Sequence, residues 1–206
     1  VAVIFSDNFN RANSDSLGAN WTENAALGTD VDIVGNVARA MSHGGSGAVI
    51  ETTTNAHAAI ADCRVTVRLV STSCYAGPIV RWNQSTFDGY MAVLNVTGTI
   101  TVYRIIGGTP TSLGTRSVTR VTGETVGLEV SGTGATVTLK VFHNGAQQGA
   151  DISDTDAARI TAAGRTGVDI VAIANGEVDD FEVDDLSVSG SVIPVILHHL
   201  RQQGIA

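Results

Sequence analysis

The chain has 206 residues and a formal net charge of −8, with 23 glycines but only 12 lysines and arginines. So few cations cannot neutralise a phosphate backbone, which excludes a nucleic-acid partner and argues against an acidic membrane surface; neutral sugars, divalent cations and proteins stay open as partners. The length suits one large domain, and a Gly-, Thr-, Ser- and Val-rich composition with a single lysine (Lys140) favours short strands and tight turns over helices.

VAVIF lacks the basic and long apolar regions of a signal peptide and reads as a first strand, ended by the polar SDNFNRANSDSLGANW. Brief strands at 31–34 and 37–41 flank Gly35-Asn36. HGGSG (43–47) then marks a turn before AVIET; with neither a Lys-Ser/Thr ending nor a following helix, it is not a phosphate loop. In CRVTVRLVS, Cys63, Val65, Val67 and Leu69 share one face while Arg64, Thr66 and Arg68 share the other, the period of a half-buried antiparallel strand. AGPIVRW continues the alternation to Trp82, which reads as a core or sheet-edge residue, and QSTFDG (84–89) is a polar turn.

YMAVLNV and TITVYRII flank Thr97-Gly98 as a hairpin, and GGTPTSLG (107–114) reads as an outward loop. TRSVTRV, TVGLEVSG and ATVTLKVFHNG are further strands. The polar QQGADISDTDAARITAAG (147–164) interrupts them, with one helical turn in DTDAARI capped by Asp154 or Thr155. VDIVAIANG and GEVDDFEVDDLSV (176–188) close the body. Many short strands at regular spacing, without βαβ alternation, predict an all-β, two-sheet antiparallel sandwich. If 63–70 and 75–82 form a hairpin, Cys63 and Cys74 fall at its opposite ends, roughly 20 Å or more apart, which argues against a disulfide between them. The sequons at Asn20, Asn83 and Asn95 are what a Thr- and Ser-rich chain produces by chance.

The last strand holds Glu177, Asp179, Asp180, Glu182, Asp184 and Asp185. The two-residue period turns Phe181 and Val183 inward and Asp180, Glu182 and Asp184 outward, with a bulge between Val183 and Leu186 restoring the pattern. Three readings stand open. The strand is simply the wet face of a sheet, or Asp184 and Asp185 offer calcium its hard oxygen ligands, or two of the acids form a catalytic pair. Glu177, Asp179 and Glu182 come nearest a glucanase-like Glu-x-Asp-x-x-Glu layout, but they follow a turn at the end of the chain, without aromatic company, and are not assigned as catalytic.

The phrase Asp7, Phe9, Asn10, Arg11 followed by Leu17, Gly18 and Trp21, taken with the closing DDFEVDDLSV, resembles laminin-G-like, concanavalin A-like jelly-roll domains of bacteriophage structural proteins and bacterial surface proteins. The resemblance implies a jelly roll over 1–190 whose first and last strands lie side by side. It further implies a structural Ca2+ held by Asp7, Asn8, Asp184 and Asp185.

Candidate ligand-facing aromatics are Trp82, Phe87 and Tyr90, the last two flanking Asp88-Gly89. No histidine stands at metal-ligand spacing from another or from a cysteine. The segment 191–206 departs from the Thr/Gly idiom and reads as a short C-terminal tail or helix, with Val195, Ile196, Leu197 and Leu200 as its docking or assembly residues. These readings predict a non-enzymatic bacteriophage virion protein, a capsid decoration or a tail or fibre component. It would be homo-oligomeric and bound to other virion proteins. The alternative is a carbohydrate-binding module or adhesin for a host surface glycan, and a glycan hydrolase is the third possibility.

Overall fold

The computed structural model describes residues 1–23, 30–41, 47–171 and 176–187; the tail residues Val195, Ile196, Leu197 and Leu200 lie outside them. One antiparallel sheet runs in the order β13 (Ala146–Gln147), β12 (Val137–His143), β11 (Thr125–Ser131), β6 (Cys63–Leu69), β16 (Glu177–Asp185), β4 (Val37–Ala40), β3 (Val31–Val34). β1 (Ala2–Asp7) adds to β16, and β14 (Ile152–Asp154) adds to β12. The second sheet runs β10 (Thr109–Ser117), β9 (Thr99–Ile106), β8 (Asp88–Leu94), β7 (Tyr75–Asn83), β15 (Arg165–Val171), β5 (Gly47–Thr52), β2 (Trp21–Glu23).

The expected sandwich is present, and β6 shows why it forms. Cys63, Val65, Val67 and Leu69 are fully buried against Ala76, Val80, Ile100, Val168 and Ile170 of the opposite sheet, while Arg64, Thr66 and Arg68 stay at the surface. The expected hairpin of 63–70 with 75–82 does not form, because β6 and β7 belong to opposite sheets; Cys63 and Cys74 are both buried free thiols. Burial pushes them up to about 12 and about 11, so neither ionises near neutral pH.

Chain closure follows the resemblance, and its cause is local. β1 pairs with β16, and Asp7 at the end of β1 collects the N-terminal phrase around itself. It accepts hydrogen bonds from the Phe9 backbone N–H at 2.8 Å, the Trp21 indole N–H at 2.8 Å and Arg11 at 2.7 and 3.1 Å. Burial alone would raise this carboxyl, but those donors outweigh it and hold Asp7 below the usual carboxylate range. Phe9 and Trp21 are thereby packed beside Phe5 and Phe181, with the Trp21 and Phe181 ring centroids 4.9 Å apart. The opening and closing phrases form one aromatic cluster.

Three local expectations are corrected. Residues 107–114 are a loop only at Gly107-Gly108; β10 starts at Thr109 because an exposed edge strand needs no apolar face. DTDAARI forms no helix: Asp154 ends β14 and is buried, and only a turn closes from the Arg159 N–H to the Asp156 carbonyl at 3.1 Å. The bulge in β16 falls between Asp179 and Glu182, with Asp180 at φ 43°, so Val178 and Phe181 both face inward.

A second bulge matters more. In a regular β7, Ile79 and Arg81 would face out and Val80 and Trp82 in, but Arg81 lies at φ 51° and the pairing with β8 shifts register after Val80. Both side chains are reversed. Arg81 turns into the interior, where it donates to the carbonyls of Ala61 at 2.7 Å, Ile160 at 2.5 Å and Gly132 at 2.8 Å, and to Asp62 at 3.2 Å. Trp82 turns to the outer face of the second sheet, the opposite side from the one its position in AGPIVRW suggested.

Removing the guanidinium takes four hydrogen bonds at once from the three carbonyls and Asp62. Arg81→Met is therefore expected to lower stability by about 3–5 kcal/mol in denaturant unfolding. A loss under about 1 kcal/mol would mean that Arg81 does not hold these loops.

Candidate functional site

The outer face of the second sheet carries a small apolar cluster of its own. Val49 of β5, Ile79 and Trp82 of β7 and Ile105 of β9 are buried there, with Phe87, Met91 and Tyr103 packed around them. The Trp82 ring is seated over Gly89, where a Cβ would lie 2.6 Å from Trp82 Cε3, and Phe87 meets its edge at a centroid distance of 6.3 Å. Only glycine leaves room for the indole at that point.

Beside this cluster runs a groove of ≈ 310 Å3 lined by Glu51, Trp82, Asn83, Gln84, Ser85 and Arg165. It crosses β15, because Glu51 pairs with Gly167 on one side and Trp82 with Arg165 on the other. Glu51 Oε2 and Trp82 Nε1 are both buried without a hydrogen-bond partner. Other such atoms among the described residues are Arg39 Nε and Arg104 Nε, whose guanidinium groups are paired through their other nitrogens, and Asp32 Oδ1 on β3. One acceptor and one donor, each costly to leave unpaired, thus line the same groove. Burial raises the Glu51 carboxyl, opposed by the nearby Arg165.

Asp169 lies farther along the same face, between the core residues Val168 and Ile170 and opposite Gly77 and Val49. It is only 6% exposed, and burial pushes its carboxyl up to about 7.

The candidate residues separate. Trp82 lines the groove and Phe87 borders its cluster. Tyr90 is on the other side of the sheet, fully buried, donating from its hydroxyl to Asp154 at 2.8 Å and accepting from the Ile160 N–H at 2.9 Å. It is not a ligand-facing residue, because Gly89, not Tyr90, points outward in β8. The sequence does not mark Glu51, Arg165 or Asp169, and it presents Asn83 only as a sequon and Gln84 and Ser85 only as part of a polar turn. The alternation of Val49 and Glu51 in AVIET puts a carboxylate on the outer face, but nothing in the sequence sets it across from Trp82.

The four expected calcium ligands do not converge. Asp7 pairs with Phe181, whereas Asp184 and Asp185 stand opposite Val3 and Ala2 near the other end of β1. Asp7 is filled by Arg11 and Trp21, Asp184 is met by Arg64 at 3.3 Å, and Asp185 accepts from the N–H and hydroxyl of Ser187. The side chain of Asn8 holds the Asn10 N–H at 3.1 Å. Among the described residues, no three His, Cys, Asp or Glu side chains group as a metal site.

Nor do the acids of β16 form a catalytic pair. Glu177 is bonded to Arg39, Asp179 and Asp180 share Arg68, and Glu182 is exposed on the outer face. The strand is the wet face of a sheet, held by arginines of β4 and β6.

No protein-family model matches the chain, and no curated protein sequence does. Solved structures share its fold. The endo-1,3-β-glucanase of Streptomyces sioyaensis superposes with a TM-score of 0.58 at 15% identity, covering 88% of this chain and 95% of that one. The exoplasmic/lumenal domain of VIP36, in a Ca2+/Man-bound form, gives 0.56 at 11% identity over 85% and 86%. The CBM2 module of the evolved Dit of Lactobacillus casei BL23 phage J-1 gives 0.51 at 9% identity over 88% and 94%. The chain is thus an all-β, concanavalin A-like jelly roll, a frame shared by binding modules, lectins and enzymes alike.

Asp169 gives the face a measurable signature. Between its ordinary value of 3.8 and its folded value of about 7, the unfolded chain is ionised while the folded chain keeps the proton. The contribution of Asp169 to stability therefore falls as pH rises from about 4 to about 7 and levels off above that. Asp169→Asn should remove this slope, and its stabilising effect should grow by up to about 4 kcal/mol between the two ends of the window. Parallel unfolding profiles for the two proteins across these pH values would contradict the burial.

Proposed function

We propose that this protein is a non-catalytic carbohydrate-binding module whose sugar site is the groove across β15 between Glu51 and Trp82. The observation that carries the reading is the pair of unpaired buried atoms, Trp82 Nε1 and Glu51 Oε2, lining one groove. Sugars present hydroxyls that both donate and accept, so one sugar can satisfy both atoms at once. With the groove walls as they stand both atoms are covered, and a sugar that parts the walls exchanges two unpaired groups for two hydrogen bonds. At 3% exposure, Trp82 contributes its rim and N–H, not an open stacking face. The names of the VIP36 and phage J-1 structures, which mention Man and a CBM2 module, agree with this reading.

The test is a glycan array followed by titration calorimetry on the glycans retained. Trp82→Phe keeps the ring and removes the N–H, and it should weaken binding about 3- to 10-fold, the worth of one hydrogen bond. An array without retained glycans, or a Trp82→Phe protein that binds unchanged, would remove the groove from consideration.

A second reading places the same module on a bacteriophage particle, where it would attach the virion to a host glycan. It is favoured by the phrase around Asp7 to Trp21 with its closing DDFEVDDLSV, and by the likeness to the phage J-1 module. In that setting segment 191–206, with Val195, Ile196, Leu197 and Leu200, would join it to a second copy or to another virion protein.

A further inference from the structure

We infer that the groove selects a neutral sugar over an acidic one, with Glu51 Oε2 accepting from one sugar hydroxyl while Trp82 Nε1 donates to another sugar oxygen; the inference rests on the carbohydrate reading above. Charge carries the argument. Glu51 stands on β5 two positions from Val49, the residue opposite Asp169; that neighbouring acid keeps its proton up to about 7, so Glu51 is the charge an entering ligand meets. Arg165 is the cation lining the groove. Its Nη1 donates to the His57 carbonyl at 2.5 Å, and its charge acts on Glu51.

A sugar carboxylate or sulfate entering here would meet Glu51 in a partly desolvated setting and would have to compete with it for Arg165, the cation lining the groove, and like charges so placed repel. A neutral sugar adds no charge and still offers Glu51 the donor it lacks. The volume, ≈ 310 Å3, falls at the small end of the roughly 300–1,000 Å3 of small-molecule sites, which suits a single unit or chain end over a long polymer stretch. Nor is the Asn83 Oδ1 a rival acceptor for Trp82 Nε1, since it already accepts from the Ser85 N–H at 3.0 Å and hydroxyl at 2.7 Å.

The experiment compares hexose-terminated oligosaccharides with their hexuronate counterparts, which differ only in a carboxylate at C6. The pairs are built on glucose, galactose and mannose and titrated into the full chain and into Glu51→Gln. The wild type should bind at least one neutral sugar about tenfold or more tightly than its uronate. Glutamine keeps an acceptor oxygen but no charge, so Glu51→Gln should retain the neutral sugar within a few fold and narrow the ratio. A uronate bound as tightly as its hexose, or a ratio unchanged in Glu51→Gln, overturns the inference while leaving the carbohydrate reading standing. If no member of any pair binds the wild type, the carbohydrate reading fails and this inference with it.

Discussion

The guanidinium of Arg81 sits inside the sandwich with a side chain 0% exposed, and much of the molecule is arranged to receive it. A buried cation is costly unless its nitrogens find acceptors, and here three carbonyls and Asp62 engage all three of them. Those acceptors come from the segment before β6, the turn after β11 and the loop after β14, so one side chain fixes three connections. The backbone twist that sends Arg81 inward is also the twist that sends Trp82 outward. Gly164 completes the arrangement, since a Cβ there would come within 2.4 Å of the Arg81 carbonyl carbon. The outward position of Trp82 is thus a consequence of how the core accommodates one charge.

The two outer faces divide along the same logic. On the first sheet, charges answer one another across strands: Lys140 reaches Glu129 at 2.7 Å, Glu129 stands opposite Arg64, and Arg64 meets Asp184 at 3.3 Å. Arg68 takes Asp179 and Asp180, and Arg39 takes Glu177. The density of acids in GEVDDFEVDDLSV therefore reflects the density of arginines on its neighbours, and such exposed pairs contribute modestly to stability. On the second sheet, polar atoms are left without partners in a groove. A surface that leaves a buried donor and acceptor unpaired is less stable than it could be, as is common where a ligand is to be received.

Much of the fold was legible in the residues. The strict alternation of β6 and the hairpin of β8 and β9 follow from period and turn chemistry alone. The meeting of the chain ends was legible only through the resemblance, and its cause is the Asp7 carboxylate gathering Phe9, Arg11 and Trp21. What escaped were the two bulges. Arg81 and Asp180 adopt positive φ without being glycine, so no sequence signal marks the point where inside and outside exchange. The misplacement of Trp82 follows from one bulge, and that of the expected kink in β16 from the other. Tyr90 failed as a ligand residue for a different reason, a buried Asp154 that its hydroxyl answers from 64 positions away. The pairing of Glu51 with Trp82 across β15 joins residues 31 positions apart through a third strand, which local periodicity cannot reveal.

The chain has two tryptophans, and their indole N–H groups are in opposite situations. That of Trp21 donates to Asp7 at 2.8 Å, whereas that of Trp82 has no partner. A 15N-labelled sample should therefore show two indole cross-peaks, and titration with a bound saccharide should displace that of Trp82 while leaving that of Trp21 in place. Movement of the Trp21 peak alone, or of neither peak in the presence of a saccharide shown to bind, would place the site elsewhere on the molecule.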